Sequence, residues 1–447
     1  MNISLTGYVP NECKAKCSGS CAYCTAASTM DYSMSCNKNH LVEDLIKIDE
    51  YMSKKVVCNW DKVYETLEHT RQFREEMRKP EEQRFLHVDL WLADPVTCFI
   101  YLKEAFAKMK EFVDKHNIKL NFSSSTNGLP LARTEIIDWA KEHNVTFQLS
   151  HDGIGQWIRT GNFDPIWDIP NAIPAIRDGV INAVNCTLSF YNNDLRMNMR
   201  YWNRVLAEAF PAIYSKSLVC TQDEENVFRR MYIKLNHIYD GQYDLKTLNK
   251  DGRYNNKCYE ELKGKPLGNM NFRNWTDNPY TGELHHLFAH NLDDYMHGYY
   301  NIAMVLRDPI SKNSPSWIPF TSYFMEQSKR WKVLRSHNER TGACRAYQRY
   351  VKGIGTPDSW QDETFVVDTL GNFSQCNLIS SNFDVENPGG EQPDYCKWCH
   401  YEMQSECNKC GSVAFPDHCE YSYRWVQFLE QMIWLDACLQ NNIQNKK

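Results

Sequence analysis

Apolar and polar positions along the first half of the chain change period in a regular way. Residues 3–8 alternate, which predicts a short strand, and helical spacing follows over about 41–53 and 61–79, the second stretch rich in Glu and Arg. From residue 85 the pattern settles into pairs. Strands are predicted at Phe85–Trp91, Lys119–Ser124, Val145–Ser150 and Val180–Leu188. Helices are predicted at Val96–Lys115, Ala132–His143, Pro165–Arg177 and Met197–Phe210. Ala212–Val219 offers a sixth strand. Strands alternating with helices of this length imply βαβ units and a parallel sheet. The fold class is therefore α/β, with a partial (β/α)6 barrel as the natural closure.

In such a sheet a ligand sits at the C-terminal ends of the strands. The segments that follow each strand are polar and several carry glycine. They are a cysteine-rich stretch after the first strand, Leu92-Ala93-Asp94-Pro95 after the second and Ser125-Thr126-Asn127-Gly128 after the third. His151-Asp152-Gly153 follows the fourth and Tyr191-Asn192-Asn193-Asp194 the fifth. The topology brings all five to one rim.

The alternation fades after about residue 220. We divide the chain into a barrel over 1–220, an aromatic-rich bridging region over 221–343 and a cysteine-rich α+β module over 344–447. The middle region contains His285, His286 and His290, and on a helix His286 and His290 would share a face. No acidic partner completes a zinc pattern there, so a structural or substrate-facing role is expected. In the last region Phe365–Asp368 reads as a strand that turns through Leu370-Gly371-Asn372 into Phe373–Cys376. Tyr423–Leu439 reads as a closing amphipathic helix.

Composition narrows the class. At 447 residues with a net charge of −6, the chain has no global pull toward nucleic acid or anionic membrane. It contains no apolar run long enough to span a bilayer, and its start lacks the basic and apolar regions of a signal peptide. A cytoplasmic setting is expected.

Cysteine is the outlier, with 18 residues. In a reducing compartment, dense cysteine clusters indicate metal or catalysis rather than disulfides. Cys13, Cys17, Cys21 and Cys24 lie near the start, and Cys344, Cys376, Cys396, Cys399, Cys407, Cys410 and Cys419 lie in the last region. Cys36, Cys58, Cys98, Cys186, Cys220, Cys258 and Cys438 are scattered and read as small buried hydrophobes. Zinc would want sets of four thiolates, whereas a loop giving three to an iron–sulfur cubane leaves one iron open to a cofactor.

Cys17-x3-Cys21-x-Tyr23-Cys24 resembles the signature of the radical S-adenosylmethionine (SAM) superfamily, in which an aromatic residue precedes the third cysteine. The resemblance extends to the other strand ends. Ser125-Thr126-Asn127-Gly128 looks like the family's third-strand Thr-Asn-Gly, and Ser150-His151-Asp152-Gly153 with Arg159 is similar to the Ser-x-Asp-Gly…Arg stretch of its peptide-modifying branch. Leu92-Ala93-Asp94-Pro95 stands where the family has Gly-Gly-Glu-Pro, with neither glycine and with Asp for Glu. The last region resembles a SPASM domain: Cys344 and Gly371-x4-Cys376 are followed by Cys396, Cys399, Cys407, Cys410 and Cys419 in the family's order, with shifted internal spacing.

The resemblance implies a [4Fe–4S] cluster on Cys17, Cys21 and Cys24, with SAM contacts at Tyr23, Asp94 (to the amino group), Thr126, Asn127, Ser150 (to the ribose), Arg159 (to the carboxylate) and Asn192. It implies one or two auxiliary [4Fe–4S] clusters. Cys396, Cys399, Cys407 and Cys419 would hold the distal one, and Cys344, Cys376 and Cys410 the proximal one, which lacks an obvious fourth thiol. The implied activity is reductive cleavage of SAM to a 5′-deoxyadenosyl radical that abstracts hydrogen from a substrate. That substrate is expected to be a peptide or protein side chain, with an electron donor such as flavodoxin or ferredoxin. The same chemistry on a nucleotide, modified base or small metabolite is the second reading. A zinc-stabilised binding protein without catalysis is the third. Asn377 stands where sulfatase-maturing relatives carry Asp, which disfavours that oxidation, and the 16 residues before Cys17 leave no room for a leader-binding domain. No catalytic side chain is assigned, and the stretch between residues 221 and 343 matches nothing in the family.

Overall fold

A computed structural model of the protein describes residues 1–10, 15–18, 30–31, 38–156, 159, 163–188, 195–215, 217–237 and 365–374. Its centre is a sheet of strands β1 (Asn2–Thr6), β2 (Phe85–Trp91), β3 (Lys119–Thr126), β4 (Thr146–Ser150), β5 (Ile181–Leu188), β6 (Tyr232–His237), β7 (Phe365–Asp368) and β8 (Phe373–Ser374). The order across the sheet is β8-β7-β1-β2-β3-β4-β5-β6. The seven strands from β7 to β6 run parallel and β8 is antiparallel at one edge. The sheet is open rather than closed. The α/β class and the parallel sheet are as the periodicity predicts.

Register explains how the sheet is covered. Leu5 pairs with Leu90, Val88 with Phe122, and Leu149 with Val184. These residues are buried, with Ile3, Leu86 and Phe147, and they form one face. Against this core lie buried residues of α1 (Leu41–Ser53), α4 (Phe99–Lys115) and α5 (Thr134–His143). The buried positions of α4 (Phe99, Leu102, Ala105, Met109, Phe112 and Val113) recur every three or four residues, so the helix lays one stripe on the core. Each of the larger of these side chains contributes roughly 1.5–3 kcal/mol on burial. The alternate positions, among them Ser4, Asp89, Ser123, Gln148 and Asn185, place polar side chains on the opposite face.

The structure corrects three boundaries. The predicted helix over 61–79 is two helices, α2 (Trp60–His69) and α3 (Arg71–Met77), divided at Thr70. Thr70 is extended and its hydroxyl caps the second helix by accepting from Phe73 N–H at 3.1 Å. The helix predicted over Pro165–Arg177 is a turn, Pro165–Asp168, followed by α6 (Ala172–Arg177), because Pro170 interrupts it. The sixth strand is not Ala212–Val219. Pro211 opens a helical turn there and Val219 is 91% exposed. Thr221 and Glu224 then form a capping box that starts α8 (Gln222–Arg230), and the strand comes after it. Between β5 and this segment runs α7 (Leu195–Ala209).

The strand Phe365–Asp368 is where the pattern predicts it, but it joins the N-terminal sheet beside β1. The boundaries drawn at 220 and 344 therefore run through one sheet. The histidines at 285–290, the closing helix and every cysteine from Cys344 onward lie outside the described residues.

The β7–β8 turn is bolted down. Asp368 accepts from the N–H groups of Leu370 and Asn372, both at 2.9 Å. Thr369 O accepts from Asn59 N–H at 2.6 Å, and Thr66 donates to Gly371 O at 2.6 Å. Thr369 Oγ1 accepts from Tyr8 N–H at 2.9 Å and donates to Val57 O at 2.6 Å, joining three distant segments. Gly371 has φ +82°, and a Cβ there would lie 2.7 Å from the Lys62 carbonyl carbon. Gly371→Ala is expected to destabilise the chain by roughly 2–3 kcal/mol through left-handed strain and overlap with α2. The midpoint of urea unfolding measures it, and an unchanged midpoint would show that the turn does not dock in solution.

Candidate functional site

Three loops meet at the C-terminal edge of β1, β2 and β3. The first carries Cys17 and Ser18, the second Asp94 and Thr97, and the third Thr126, Asn127 and Gly128. Asp94 is 3% exposed and sits between the last two loops. Its Oδ1 accepts from Val96 N–H and Thr97 N–H, both at 3.1 Å. Its Oδ2 accepts from Asn127 N–H at 2.8 Å and from the Thr126 hydroxyl at 3.3 Å. Burial pushes the Asp94 carboxyl up to about 6, against the pull of these four hydrogen bonds, so the carboxylate still predominates at neutral pH.

Asn127 turns this arrangement toward the cysteine loop. Its Oδ1 accepts from Leu129 N–H at 2.9 Å, which fixes the amide orientation. Nδ2 then donates to Ser18 Oγ at 2.8 Å and lies 3.9 Å from Cys17 Sγ. Ser18 Oγ is 2.8 Å from Thr97 Oγ1. Gly128 is required by close approach: at φ +88° a Cβ would lie 2.8 Å from Leu149 Cδ1 and 3.0 Å from Pro165 Cβ. Cys17 itself is half-buried.

A second group lies at the ends of β4 and β5. Arg159 grips buried Asp152, with Nη2 at 3.1 Å from Oδ1 and Nε at 3.3 Å from Oδ2. Asp152 Oδ1 also accepts from Thr187 N–H at 3.0 Å, tying the loop to β5. Burial raises the Asp152 carboxyl above its usual range despite the guanidinium. Ser150, in register with Asn185, is half-buried, and its side chain makes no hydrogen bond among the described residues. Asn185 donates to Gln148 Oε1 at 3.2 Å, and its own Oδ1 is buried without a partner among the described residues.

Behind Ser150, His151 is fully buried. Its Nδ1 accepts from Gly153 N–H at 3.1 Å, so the ring is neutral with its proton on Nε2. That Nε2–H faces Asp164 Oδ1 at 2.9 Å and the Tyr201 hydroxyl at 3.2 Å, while Tyr201 donates to Asp164 Oδ2 at 2.7 Å. Burial would raise the Asp164 carboxyl, but the hydrogen bonds from His151, Tyr201 and Ile166 N–H outweigh it and hold it low.

Of the residues the sequence singles out, Cys17, Asp94, Thr126 and Asn127 thus form one hydrogen-bonded unit, while Ser150 ends β4 one strand further on and Arg159 binds Asp152 in the loop after it. Tyr23, Cys21, Cys24 and Asn192 lie outside the described residues. Asp94 and Arg159 are both engaged by their own chain. Sequence reasoning missed Ser18, Thr97, Asp164 and Tyr201. Asp94-x2-Thr97 carries a local signal, an Asx-type turn, but Tyr201 reaches His151 only through the packing of α7. Among the scattered cysteines Cys98 and Cys186 are buried and Cys58 and Cys220 half-buried, while Cys36, Cys258 and Cys438 lie outside the described residues. Among the described residues no helix is long and apolar enough to cross a membrane.

No protein-family model matches the chain, and no curated protein matches it. Among solved structures it is similar to "Native anSMEcpe with bound AdoMet", at 13% identity and a TM-score of 0.49 over 98% of this chain and 100% of that one. It is also similar to "Native anSMEcpe with bound AdoMet and Kp18Cys peptide", at 14% identity and a TM-score of 0.49 over 98% and 99% of the two chains.

Burial lowers the His151 pKa, against the pull of Asp164. The unfolded chain therefore takes up a proton near pH 6.5 that the folded chain resists, and this part of the stability is present above pH 6.5 and lost as pH falls below it. Urea unfolding at pH 7.5 and 5.5 should show a lower midpoint at the acid value. The His151→Gln chain, weaker at both, should lose that share of the difference. An equal drop in both chains would rule His151 out as a source.

Proposed function

We propose that the chain is a radical SAM enzyme that modifies a peptide or protein side chain. One observation carries this reading. Ser18 and Asn127 are 109 residues apart in sequence, yet the Cys17 segment, the Asp94 loop and Thr126-Asn127-Gly128 form one hydrogen-bonded unit at the ligand-binding edge of a parallel sheet.

The residues present suit the implied groups. Cys17 sulfur lies within reach of the Asn127 amide N–H, a setting that favours a thiolate and its bonds to iron. Cys17, Cys21 and Cys24 would hold a [4Fe–4S] cluster with one iron left for SAM. Bound together, cluster and SAM supply one-electron chemistry strong enough to take hydrogen from an unactivated carbon. The chain's own part is to bind, orient and exclude water. The Ser150 hydroxyl, at the end of β4, would meet the ribose. Arg159 braces the neighbouring loop through its two bonds to Asp152 and brings a fixed positive charge to this rim, which would suit a carboxylate. Ser123, Gln148 and Asn185 on the polar face offer neutral hydrogen bonds that suit amide and hydroxyl groups, which favours a peptide over a phosphate-bearing substrate. Auxiliary clusters on Cys344, Cys376, Cys396, Cys399, Cys407, Cys410 and Cys419 belong to the same reading, as does an external donor such as flavodoxin or ferredoxin.

Protein purified anaerobically and reconstituted should be brown, with about eight to twelve irons per chain from two or three cubanes. It should cleave SAM under dithionite. Changing Cys17, Cys21 and Cys24 together to Ala should abolish that cleavage and remove about four irons. A colourless, zinc-containing protein, or cleavage that survives the triple change, would overturn the proposal.

A further inference from the structure

Asp94 stands where the resemblance implies a contact to the amino group of SAM. Its surroundings assign it different work. A carboxylate offers about four acceptor positions. Asp94 has four protein donors on them: Val96 N–H, Thr97 N–H, Thr126 Oγ1–H and Asn127 N–H. An ammonium group could approach only by displacing one of these, inside a pocket where the side chain is 3% exposed.

The same bonds close a ring. From Asp94 Oδ2 it passes to Asn127 N–H, along that residue to Nδ2, and on to Ser18 Oγ at 2.8 Å. Ser18 Oγ is in turn hydrogen-bonded to Thr97 Oγ1, also at 2.8 Å, with either hydroxyl able to donate. Thr97 returns to Asp94 Oδ1 through its own N–H. Asp94, Thr97, Asn127 and Ser18 are all buried. The residue that precedes Ser18 is Cys17, and the Nδ2 that holds Ser18 also lies within reach of its sulfur. We infer that Asp94 is a positioning residue, which through Asn127 and Thr97 fixes the Cys17–Ser18 segment over the edge of the sheet, and that it is not the contact for the SAM amino group.

The inference rests on the radical SAM reading only for what Cys17 ligates; the ring itself does not. It also accounts for the departure from the family's Gly-Gly-Glu-Pro. Bonds to the N–H groups two and three residues onward need a short side chain. Glutamate would carry the carboxylate about 1.5 Å further and could not keep both local bonds while reaching Asn127.

Asp94→Glu separates the two roles, because it restores the family's residue. Were Asp94 an amino-group contact, this change would leave the cluster untouched before SAM is added and would preserve SAM affinity. As a positioning residue it should fail on both counts. In the metal-free full chain, amide exchange at Val96, Thr97 and Asn127 should rise about tenfold in Asp94→Glu, relative to the amides of α4. After loading with iron and sulfide, the electron paramagnetic resonance spectrum of the reduced, SAM-free cluster should change in Asp94→Glu. It should also change in Thr97→Val, which keeps Asp94 and every backbone donor and cuts only the hydroxyl link to Ser18. Exchange that stays at the wild-type level in Asp94→Glu would overturn the inference. So would wild-type SAM-free spectra in both variants alongside a loss of SAM affinity of about tenfold in Asp94→Asn. A wild-type chain that takes up no iron would instead sink the radical SAM reading, and the exchange result would still decide the ring.

Discussion

Parallel pairing is the constraint on which the rest of the molecule depends. Seven strands run the same way, so every loop that follows a strand emerges at one edge, whatever its distance in sequence. Each return to the other edge needs a crossover, and the helices that supply it bury one face of the sheet. That leaves a polar face and a rim of strand ends. The cysteine segment, the Asp94 loop and the Thr126–Gly128 loop meet because β1, β2 and β3 are neighbours in that order.

Carboxylates staple the turns of the segments that follow these strands, with Asp94 and Asp368 buried and Asp164 half-buried. Asp94 takes the N–H groups two and three residues onward, Asp164 that of Ile166, and Asp368 those of Leu370 and Asn372. Each charge is costly to desolvate, and backbone donors of its own turn offset that cost. A turn stapled in this way can then present a second set of contacts. Asp94 organises Asn127, which holds Ser18; Asp368 shapes the turn whose Thr369 joins β1 to the segment after α1. Rigidity at the rim thus comes from short-range bonds, and its reach comes from the residues those bonds orient.

The parts of the fold legible in the sequence are those with strong periodicity. Phe85–Trp91 and the stripe of α4 stand as the pattern predicts, because apolar spacing reports directly on burial. Breaks within apolar stretches were harder. Thr70 and Pro170 divide predicted helices through a cap and a missing donor, and Ala212–Val219 has strand-forming residues that burial does not reward. Phe365–Asp368 was legible as a strand but not as a neighbour of β1, since pairing over 360 residues leaves no local trace. At the site, residue types were legible and their connections were not. Asp94 was marked by its place after a strand, yet its acceptors are filled by groups whose positions follow from the turn and from Asn127. Thr97 is marked only by its place in the turn that Asp94 opens, and Ser18 only by adjacency to Cys17.

By itself the sequence determined the α/β alternation, the spacing of Cys17, Cys21 and Cys24, and the polar character of each loop at the rim. These depend on side-chain chemistry and on spacing along the chain. Tertiary structure decided which loops touch. It set Asn127 against Ser18, placed β7 beside β1, and turned Asp94 inward onto four donors of its own chain. Hydrogen bonds are directional and short in range, so their partners follow from backbone positions in space, which the order of residues alone does not specify.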